Sequence, residues 1–331
     1  MAQKGRQLLS LLLVSCLFVG LLMVWLNRLA IYDWWRLRNY QPNSQVVNLT
    51  TADTMTGYAT HMFYVNRPVI ADKAVFNQNC PNDGGEQTIV LGCYHSNETG
   101  IYLYSVSDPK LSGVEQVTAA HETLHAIYER LSSKDKTYVN GLLEDFYKHD
   151  LKDKRVLDTI ESYKKTEPND VVNEMHSVFG TEVSKLTPAL ETYYKKYFSN
   201  RQKVVAYAQQ YQQTFVNNQA QADRDLSQIK TIEQQLSTMK TQIDSQETQL
   251  IAENQQLEAE RPKVTNQTAA DFRNQVNQYN AQVQTYRTLI NQYNALIDRH
   301  NNLVNQYQAI TTETNQLIKE LDSRSSTISS Q

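Results

Sequence analysis

An apolar run from Leu8 to Leu26 is the first pattern in the chain, and only two serines and one glycine interrupt it. Its nineteen residues, rising about 1.5 Å each, form a helix of roughly 28 Å, the thickness of one hydrocarbon core. The run is longer than a signal-peptide core and lacks a small-x-small cleavage site. We therefore predict an uncleaved N-terminal transmembrane helix through residues 8–26, within a first segment of residues 1–27 that begins with a short basic head.

Two alternatives concern the processing of this anchor. One is a cleaved signal peptide. The other is a lipidated Cys16, because Leu13-Val14-Ser15-Cys16 resembles a bacterial lipoprotein box. The apolar run continues for ten residues beyond Cys16, which lipidation does not explain. Residues 28–43 are predicted to be a juxtamembrane linker, and aromatic rings cluster at the expected headgroup level: Trp25, Tyr32, Trp34 and Trp35.

Short apolar runs and then helical periodicities fill residues 44–200. Clusters of Gly, Pro and Asn separate three β-like runs, at 62–65, 88–91 and 101–106, which predict a small sheet. Helices are predicted at 112–131, 134–149, 153–164 and 169–185, with a further helix entering the C-terminal region. Ser112 and Glu115 match a capping box at the start of the first of these helices. Strands followed by helices indicate an α+β domain.

Beyond residue 200 the chain is rich in Gln and Asn and carries heptad repeats. Apolar residues recur every seven positions from Ile229 to Leu257, and a 4-3 alternation of apolar residues runs from Phe272 to Tyr307. Pro262 separates the two arms and disfavours a continuous helix. We predict an α-helical coiled-coil hairpin over residues 201–322, with a turn near 260–264 and a flexible Ser-rich tail at 323–331. Pairing with a coiled-coil partner and disorder are the alternatives.

Charge and cysteine content narrow the functional classes. The chain has 32 basic and 35 acidic residues and a net charge of -3, without a long block of one sign, so we exclude nucleic acid as a partner. Cys80 and Cys93 bracket a turn-rich stretch, which suits a disulfide formed in an oxidising compartment, with two unpaired thiols as the alternative. We predict a single-pass protein of the cell membrane, with the bulk of the chain extracytoplasmic.

The chemistry of the chain centres on His121-Glu122-Thr123-Leu124-His125. On a helix, histidines four residues apart share one face and can bind one zinc ion. Glu122 is rotated by about 100° from His121, so it can stand beside the metal and accept a proton from water that the metal activates. The motif therefore predicts a zinc cofactor held by His121 and His125, with Glu122 as the general base.

A third metal ligand is expected from a different helix, so that one coordination position stays open. Residues 173–182 are the best source: the segment Asn173-Glu174-x-x-Ser177, followed by Phe179-Gly180, resembles the ligand helix of thermolysin-like gluzincin metallopeptidases. The resemblance implies a zincin-like fold with Glu174 as the third ligand, although the Asp that follows Ser in those enzymes is missing here. His176 is the alternative ligand, and it cannot share a helix face with Glu174 because two residues correspond to about 200° of rotation.

In zincins an edge strand before the metal helix pairs with extended substrate, and the resemblance implies this role for the predicted strand from Gly100 to Val106. An ordinary core strand is the alternative. The leading hypothesis is a membrane-anchored zinc metallopeptidase that hydrolyses peptide bonds in extracytoplasmic proteins or peptides. A non-enzymatic envelope scaffold that uses the coiled coil and a cell-wall peptide hydrolase are the competing hypotheses.

Overall fold

A computed structural model describes residues 2–80, 91–96 and 100–323 of the protein. These residues are mostly helical and include one small three-stranded sheet, which agrees with the predicted α+β class at this coarse level. The chain divides into two compact units, residues 1–213 with 317–331, and residues 214–316.

Ten α-helices and three strands precede the long C-terminal helices in the described part of the chain. In chain order they are α1 (Ala2–Leu26), α2 (Arg28–Leu37), α3 (Ser44–Ala52), α4 (Gly57–Val65), β1 (Val69–Ala71), α5 (Lys73–Asn79), β2 (Gly92–His95), β3 (Gly100–Tyr104), α6 (Val114–Arg130), α7 (Ser133–His149) and α8 (Lys154–Thr166). They are followed by α9 (Val171–Thr181), α10 (Pro188–Tyr194), α11 (Arg201–Glu260) and α12 (Ala269–Leu321). Short 3₁₀ turns occur at Pro109–Leu111 and Arg261–Lys263.

Helix α1 covers the apolar run at 8–26 in which we predict a transmembrane helix. Among the residues that the structure describes, no single helix combines the length and the apolar character that a crossing needs. The segment Ser15–Leu26 of α1 meets this requirement only together with α2, and the two are bent by 63° at the break between them.

The strand predicted at Met62–Val65 is wrong, because these residues form the last turn of α4. The helix starts at a capped end, where the Thr56 side chain accepts a hydrogen bond from the backbone N–H of Ala59. Met62 and Phe63 are fully buried neighbours in the core. A run of four apolar residues does not distinguish a buried helical turn from a buried strand, which explains the error.

The sheet has the strand order β1-β3-β2, with β3 parallel to β1 and antiparallel to β2. The strand predicted at 101–106 is therefore confirmed in position as β3. Its predicted role as an edge strand is wrong, because β3 lies in the centre and β2 is the outer strand beside it. Most of the run predicted at 88–91 lies outside the described residues, and so do the predicted tail from residue 324 onward and the turn at 81–85.

Helix α6 begins without the predicted capping box. Its N-cap is Gly113, which has a left-handed backbone with φ of 104° and contributes no side-chain hydrogen bond. The Glu115 carboxylate instead accepts hydrogen bonds from the backbone N–H of Val106, at 3.1 Å, and from the Ser105 hydroxyl, at 3.3 Å. Glu115 thus ties the segment after β3 to the first turn of α6, and Ser112 does not cap the helix.

Helix α9, which carries Glu174, is shorter than predicted and ends at Thr181. Arg201, the first residue of α11, is buried and hydrogen-bonds the carbonyl groups of Phe179, Val183 and Ser184 around this end. Its guanidinium also pairs with Glu191 of α10. Because the last carbonyls of a helix have no partners inside it, these bonds stabilise the C-terminal end of α9.

The long helices α11 and α12 pair in antiparallel fashion within the unit of residues 214–316. Asn218 of α11 hydrogen-bonds Thr314 of α12, at 3.2 Å, whereas further along α11 Ile229 and Ile232 pack with Leu303. Residues of increasing number along α11 thus contact residues of decreasing number along α12, as in any antiparallel pair.

Candidate metal centre

His121 and His125 lie one turn apart on the same side of α6. Their rings are 4.7 Å apart between centroids and inclined by 65°. His125 is buried and His121 is partly buried, and both line a cleft of about 750 Å³. The opposite side of α6 is apolar, and its residues Ala119, Ala120 and Leu124 have no exposed surface. Burial of this side holds α6 with the two imidazoles facing the cleft.

Glu174 of α9 reaches across to both histidines. The Nε2 atom of His125 is 3.3 Å from Glu174 Oε1, and the Nε2 atom of His121 is 3.5 Å from Glu174 Oε2. One nitrogen from each imidazole and one carboxylate oxygen all lie within 4.8 Å of one another. Two imidazoles and one carboxylate form a donor set that suits zinc.

The electrostatics of Glu174 also fit a cation. Burial by itself raises the pKa of this carboxyl, but the two histidines and the hydroxyl of Tyr163 outweigh that effect and lower the pKa to about 2. The side chain is therefore an ionised carboxylate at neutral pH. Its Oε2 atom is buried without a hydrogen-bond partner, and such an acceptor is costly unless a positive charge satisfies it. A zinc ion fits this site.

Glu122 is buried and lines the same cleft as the three possible ligands. It stands directly behind β2: a Cβ atom on Gly92 would lie 2.8 Å from Glu122 Oε1 and 2.5 Å from Thr118 Cγ2. Only glycine permits so close an approach of strand and helix at this point. The outer strand of the sheet therefore lies against the predicted general base.

The register of β2 determines which of its main-chain groups face outward. The backbone N–H of Tyr104 donates to the Leu91 carbonyl at 2.8 Å, and the next pair in register is Gly92 with Leu103. Because bonded pairs alternate along antiparallel strands, Gly92 and Tyr94 direct their N–H and C=O groups away from β3. The sequence analysis assigned this edge to β3 because it did not predict a strand at Gly92–His95, the residues that form β2.

His176 does not join the ligand cluster formed by the described residues. It is fully buried, and its Nε2 atom lies 2.9 Å from the Tyr193 hydroxyl, while the Tyr194 hydroxyl donates to its backbone carbonyl at 2.7 Å. Burial, reinforced by His125 and His121, lowers the pKa of His176 to about 3. The ring is thus a neutral member of an aromatic cluster, and it stands on a different side of α9 from Glu174.

Tyr163 was not predicted as a site residue, yet it lines the cleft next to Glu174. It lies on α8 at heptad-like spacing from the buried residues Val156 and Ile160. That spacing is the signal which could have placed it on the inward face of the helix. Its pKa is raised by burial and then by the nearby Glu174, so the phenol stays protonated and can donate a hydrogen bond.

The predicted disulfide between Cys80 and Cys93 is confirmed, with Cα atoms 6.0 Å apart. Cys80, Cys93 and His95 also approach one another closely enough to suggest metal ligands. Both sulfurs are used in the disulfide, however, and thiolates rather than disulfide sulfurs bind metals. The disulfide joins the end of α5 to β2 and so holds the strand that faces Glu122.

Known proteins provide no further guide to this site. A scan of protein-family models found no match to the chain, and neither curated proteins nor solved structures matched it.

Proposed function

We propose that this protein is a zincin-like, zinc-dependent peptidase that is anchored in the cell membrane and acts on extracytoplasmic protein or peptide substrates. The observation that carries the proposal is the convergence of His121, His125 and Glu174 on one point, with Glu122 in the same cleft. These residues come from two helices that are held by a buried core, and their types match a three-ligand catalytic site.

His121, His125 and Glu174 would hold the metal in this cleft. When bound, zinc supplies Lewis acidity, which polarises a peptide carbonyl and acidifies water. Glu174 is ready for this role because its low pKa keeps the carboxylate ionised. Tyr163 beside it stays protonated, and its hydroxyl helps to orient that carboxylate.

Glu122 is the residue that moves protons in the proposed reaction. Its carboxylate accepts a proton from the attacking water and delivers that proton to the leaving amine, so that the peptide nitrogen departs as a neutral amine. The position next to His121 on α6 places it beside the metal ligands without making it one of them. The strand β2 limits its freedom on the other side.

Strand β2 is suited to align a peptide. Gly92 and Tyr94 direct main-chain groups outward along the cleft, and an extended peptide can pair with such an edge through backbone hydrogen bonds. This pairing recognises the peptide main chain and therefore supports a peptide substrate rather than a small ester or sugar.

The disulfide supports an extracytoplasmic location, because disulfides persist in oxidising compartments. The apolar residues of α1 support attachment to a membrane. The paired arms α11 and α12 would then serve as a coiled-coil hairpin that positions the enzyme or its partner rather than as part of the chemistry.

Replacement of Glu122 by Gln tests the proposal most directly. The amide has the same size but cannot accept the proton, so hydrolysis of a peptide library should fall by about 10²- to 10⁴-fold while zinc content stays at about one per chain. Glu144→Gln, an exposed change on α7, is the matched control. Full activity of Glu122→Gln contradicts the mechanism. Absence of zinc and of hydrolysis from the unaltered protein would favour the non-enzymatic scaffold.

A further inference from the structure

Helix α2 has one face that is fixed to the folded domain. Asp33 on this face is buried and accepts two hydrogen bonds from the Arg130 guanidinium, at 2.5 and 3.2 Å. His61 Nε2 lies 2.8 Å from the same carboxylate. Because Arg130 ends α6, this cluster connects α2 to the helix that carries His121 and His125.

Two further contacts fix the same helix to the domain. The Arg36 side chain donates to the Val65 carbonyl at the end of α4, at 3.0 Å, and the Arg67 guanidinium donates to the Arg36 carbonyl, at 2.6 Å. Charge-assisted bonds of this kind are among the stronger hydrogen bonds in proteins. Residues 28–37 of the predicted juxtamembrane linker therefore form a helix that is held by hydrogen bonds to its neighbours.

The opposite face of α2 is exposed and aromatic. Ile31, Trp34, Trp35 and Arg38 follow the spacing of one helical stripe, and we call them the tryptophan stripe. The exposed fractions are 46% for Ile31, 64% for Trp34 and 49% for Trp35. The Arg38 guanidinium lies 5.9 Å from the Trp34 ring centre and 6.0 Å from that of Trp35. A contiguous apolar patch of this kind marks an interaction surface.

We infer that the tryptophan stripe lies in the headgroup region of a phospholipid bilayer, with α2 resting on the membrane surface. Tryptophan rings and arginine side chains together are typical of that region, where indoles contact acyl chains and guanidinium groups meet lipid phosphates. The stripe continues directly from exposed apolar residues at the end of α1, where Arg28 lies 5.2 Å from the Trp25 ring centre. This continuity favours lipid over a second protein as the occupant.

The geometry favours α2 on the membrane surface over a broken membrane span formed by α1 and α2. An axis bent by 63° from α1 lies closer to the bilayer plane than to its normal if α1 stands upright. The Asp33 carboxylate is bound to Arg130 and His61 of the folded domain, so α2 cannot enter the hydrocarbon core without carrying that domain with it or breaking these bonds. The helix therefore rests on the surface, and Arg130 holds α6 at a fixed position relative to it.

The tryptophan content of the chain allows a direct test, because its three tryptophans are Trp25, Trp34 and Trp35. The full-length protein is reconstituted in vesicles of phosphatidylcholine and phosphatidylglycerol, some with bromine atoms on the acyl chains. Replacement of two tryptophans by Phe leaves a single fluorophore in each variant. We expect Trp34 and Trp35 to be quenched most by lipids brominated near the headgroup, since interfacial helices bury their apolar face by about 5–10 Å. Both should be shielded from iodide in the aqueous phase.

The inference rests on membrane attachment, which is part of the proposed function, but it does not depend on zinc chemistry. Trp25 reports attachment by itself. Quenching of Trp25 by brominated lipid, together with free access of iodide to Trp34 and Trp35, would retain the anchor and overturn the inference. Shielding of Trp34 and Trp35 from both quenchers would assign the stripe to a protein partner instead. Failure of lipid to quench any of the three would overturn both the attachment and the inference.

Discussion

Helix α6, which carries His121 and His125, and the paired arms α11 and α12 bury their side chains to very different extents. Eleven of the seventeen residues of α6 are buried, and four of those, Thr118, Glu122, Thr123 and His125, are polar or ionisable. Between residues 214 and 316 the buried side chains are few: Asp225, Ile229, Ile232, Leu250 and Leu303. A helix surrounded by other elements excludes water on most sides, whereas a helix in a two-helix pair does so along one stripe only.

This difference explains where chemistry can occur in the chain. Burial lowers the pKa of His176, whereas the nearby histidines and Tyr163 lower the pKa of Glu174 to about 2 against the effect of its burial. The arms instead carry exposed ion pairs such as Lys240 with Asp244, which contribute little to stability. This contrast is consistent with the proposal that the first region carries out the chemistry and that the arms provide length and contact with partners.

Loss of a proposed metal ligand should abolish the response of the protein to zinc, and this effect should be confined to the first region. His125→Ala removes one of three ligands, so the stabilisation by zinc should disappear; it amounts to about 4 kcal/mol when zinc exceeds its dissociation constant a thousandfold. Thermal unfolding with and without added zinc measures this. His149→Ala, which alters an exposed histidine of α7, should retain the full stabilisation. An equal response to zinc in His125→Ala would place the metal elsewhere.

Substitution of buried apolar residues should lower the free energy of unfolding more in the first region than in the arms. Phe179 is fully buried and its ring packs against Phe146, with centroids 5.2 Å apart, so Phe179→Ala should cost about 3–5 kcal/mol. Leu303→Ala in the arms should cost only about 2 kcal/mol, the lower end of the range for Leu→Ala, because water can reach the seam from both sides. Urea unfolding followed by circular dichroism would compare them. Similar costs would show that the arms are as tightly packed as the core.

Loss of the disulfide should lower the stability of the first region by a similar amount. Cys80→Ser combined with Cys93→Ser opens a loop with a sequence separation of 13, which should lower the free energy of unfolding by about 3 kcal/mol. Cys16→Ser, which changes the free exposed cysteine, is the control and should have no such effect. An unchanged unfolding curve for the double variant would mean that α5 and β2 hold their positions without the bond.

The smallest predicted effect concerns a buried acid and depends on pH. Burial raises the pKa of Asp53, whose two oxygens are buried without hydrogen-bond partners. The folded protein therefore keeps this carboxyl protonated while the unfolded chain ionises above about 4, so the stability that Asp53 contributes below that pH is lost as pH rises. Asp53→Asn should remove this loss, which is about 1.4 kcal/mol for each unit of pKa shift.

Unfolding midpoints between pH 4 and pH 8 would measure this dependence. The advantage of Asp53→Asn over the unaltered protein should grow as pH rises. Asp244→Asn in the arms changes an exposed carboxylate and should alter stability by less than about 0.5 kcal/mol. A constant difference across the pH range would show that Asp53 is ionised in the folded protein.

The sequence predicted the elements whose signals are local. Helices α6 to α8 lie within two residues of their predicted bounds because amphipathic periodicity sets them. The spacing of His121, Glu122 and His125 placed these residues on a cleft, and the choice of Glu174 over His176 agrees with helical geometry. The zinc ion and the peptidase activity remain predictions.

The wrong predictions concern features of the fold that tertiary contacts determine. The N-cap of α6 is Gly113 rather than the predicted Ser112, because the helix starts from a residue with a left-handed backbone. No pattern in the sequence indicates that conformation. The position of β3 at the sheet centre depends on its pairing with β1, which sequence periodicity does not encode. The helical nature of residues 28–37 was missed because their buried face carries the charged residue Asp33, whose partner Arg130 lies 97 residues away in the sequence.

The attachment of Arg201 to the end of α9 has a mechanical consequence. Its guanidinium binds the carbonyls of Phe179 and Val183 and the Glu191 carboxylate, and its own backbone begins α11. The start of α11 is therefore fixed directly to the end of α9, the helix that also carries Glu174.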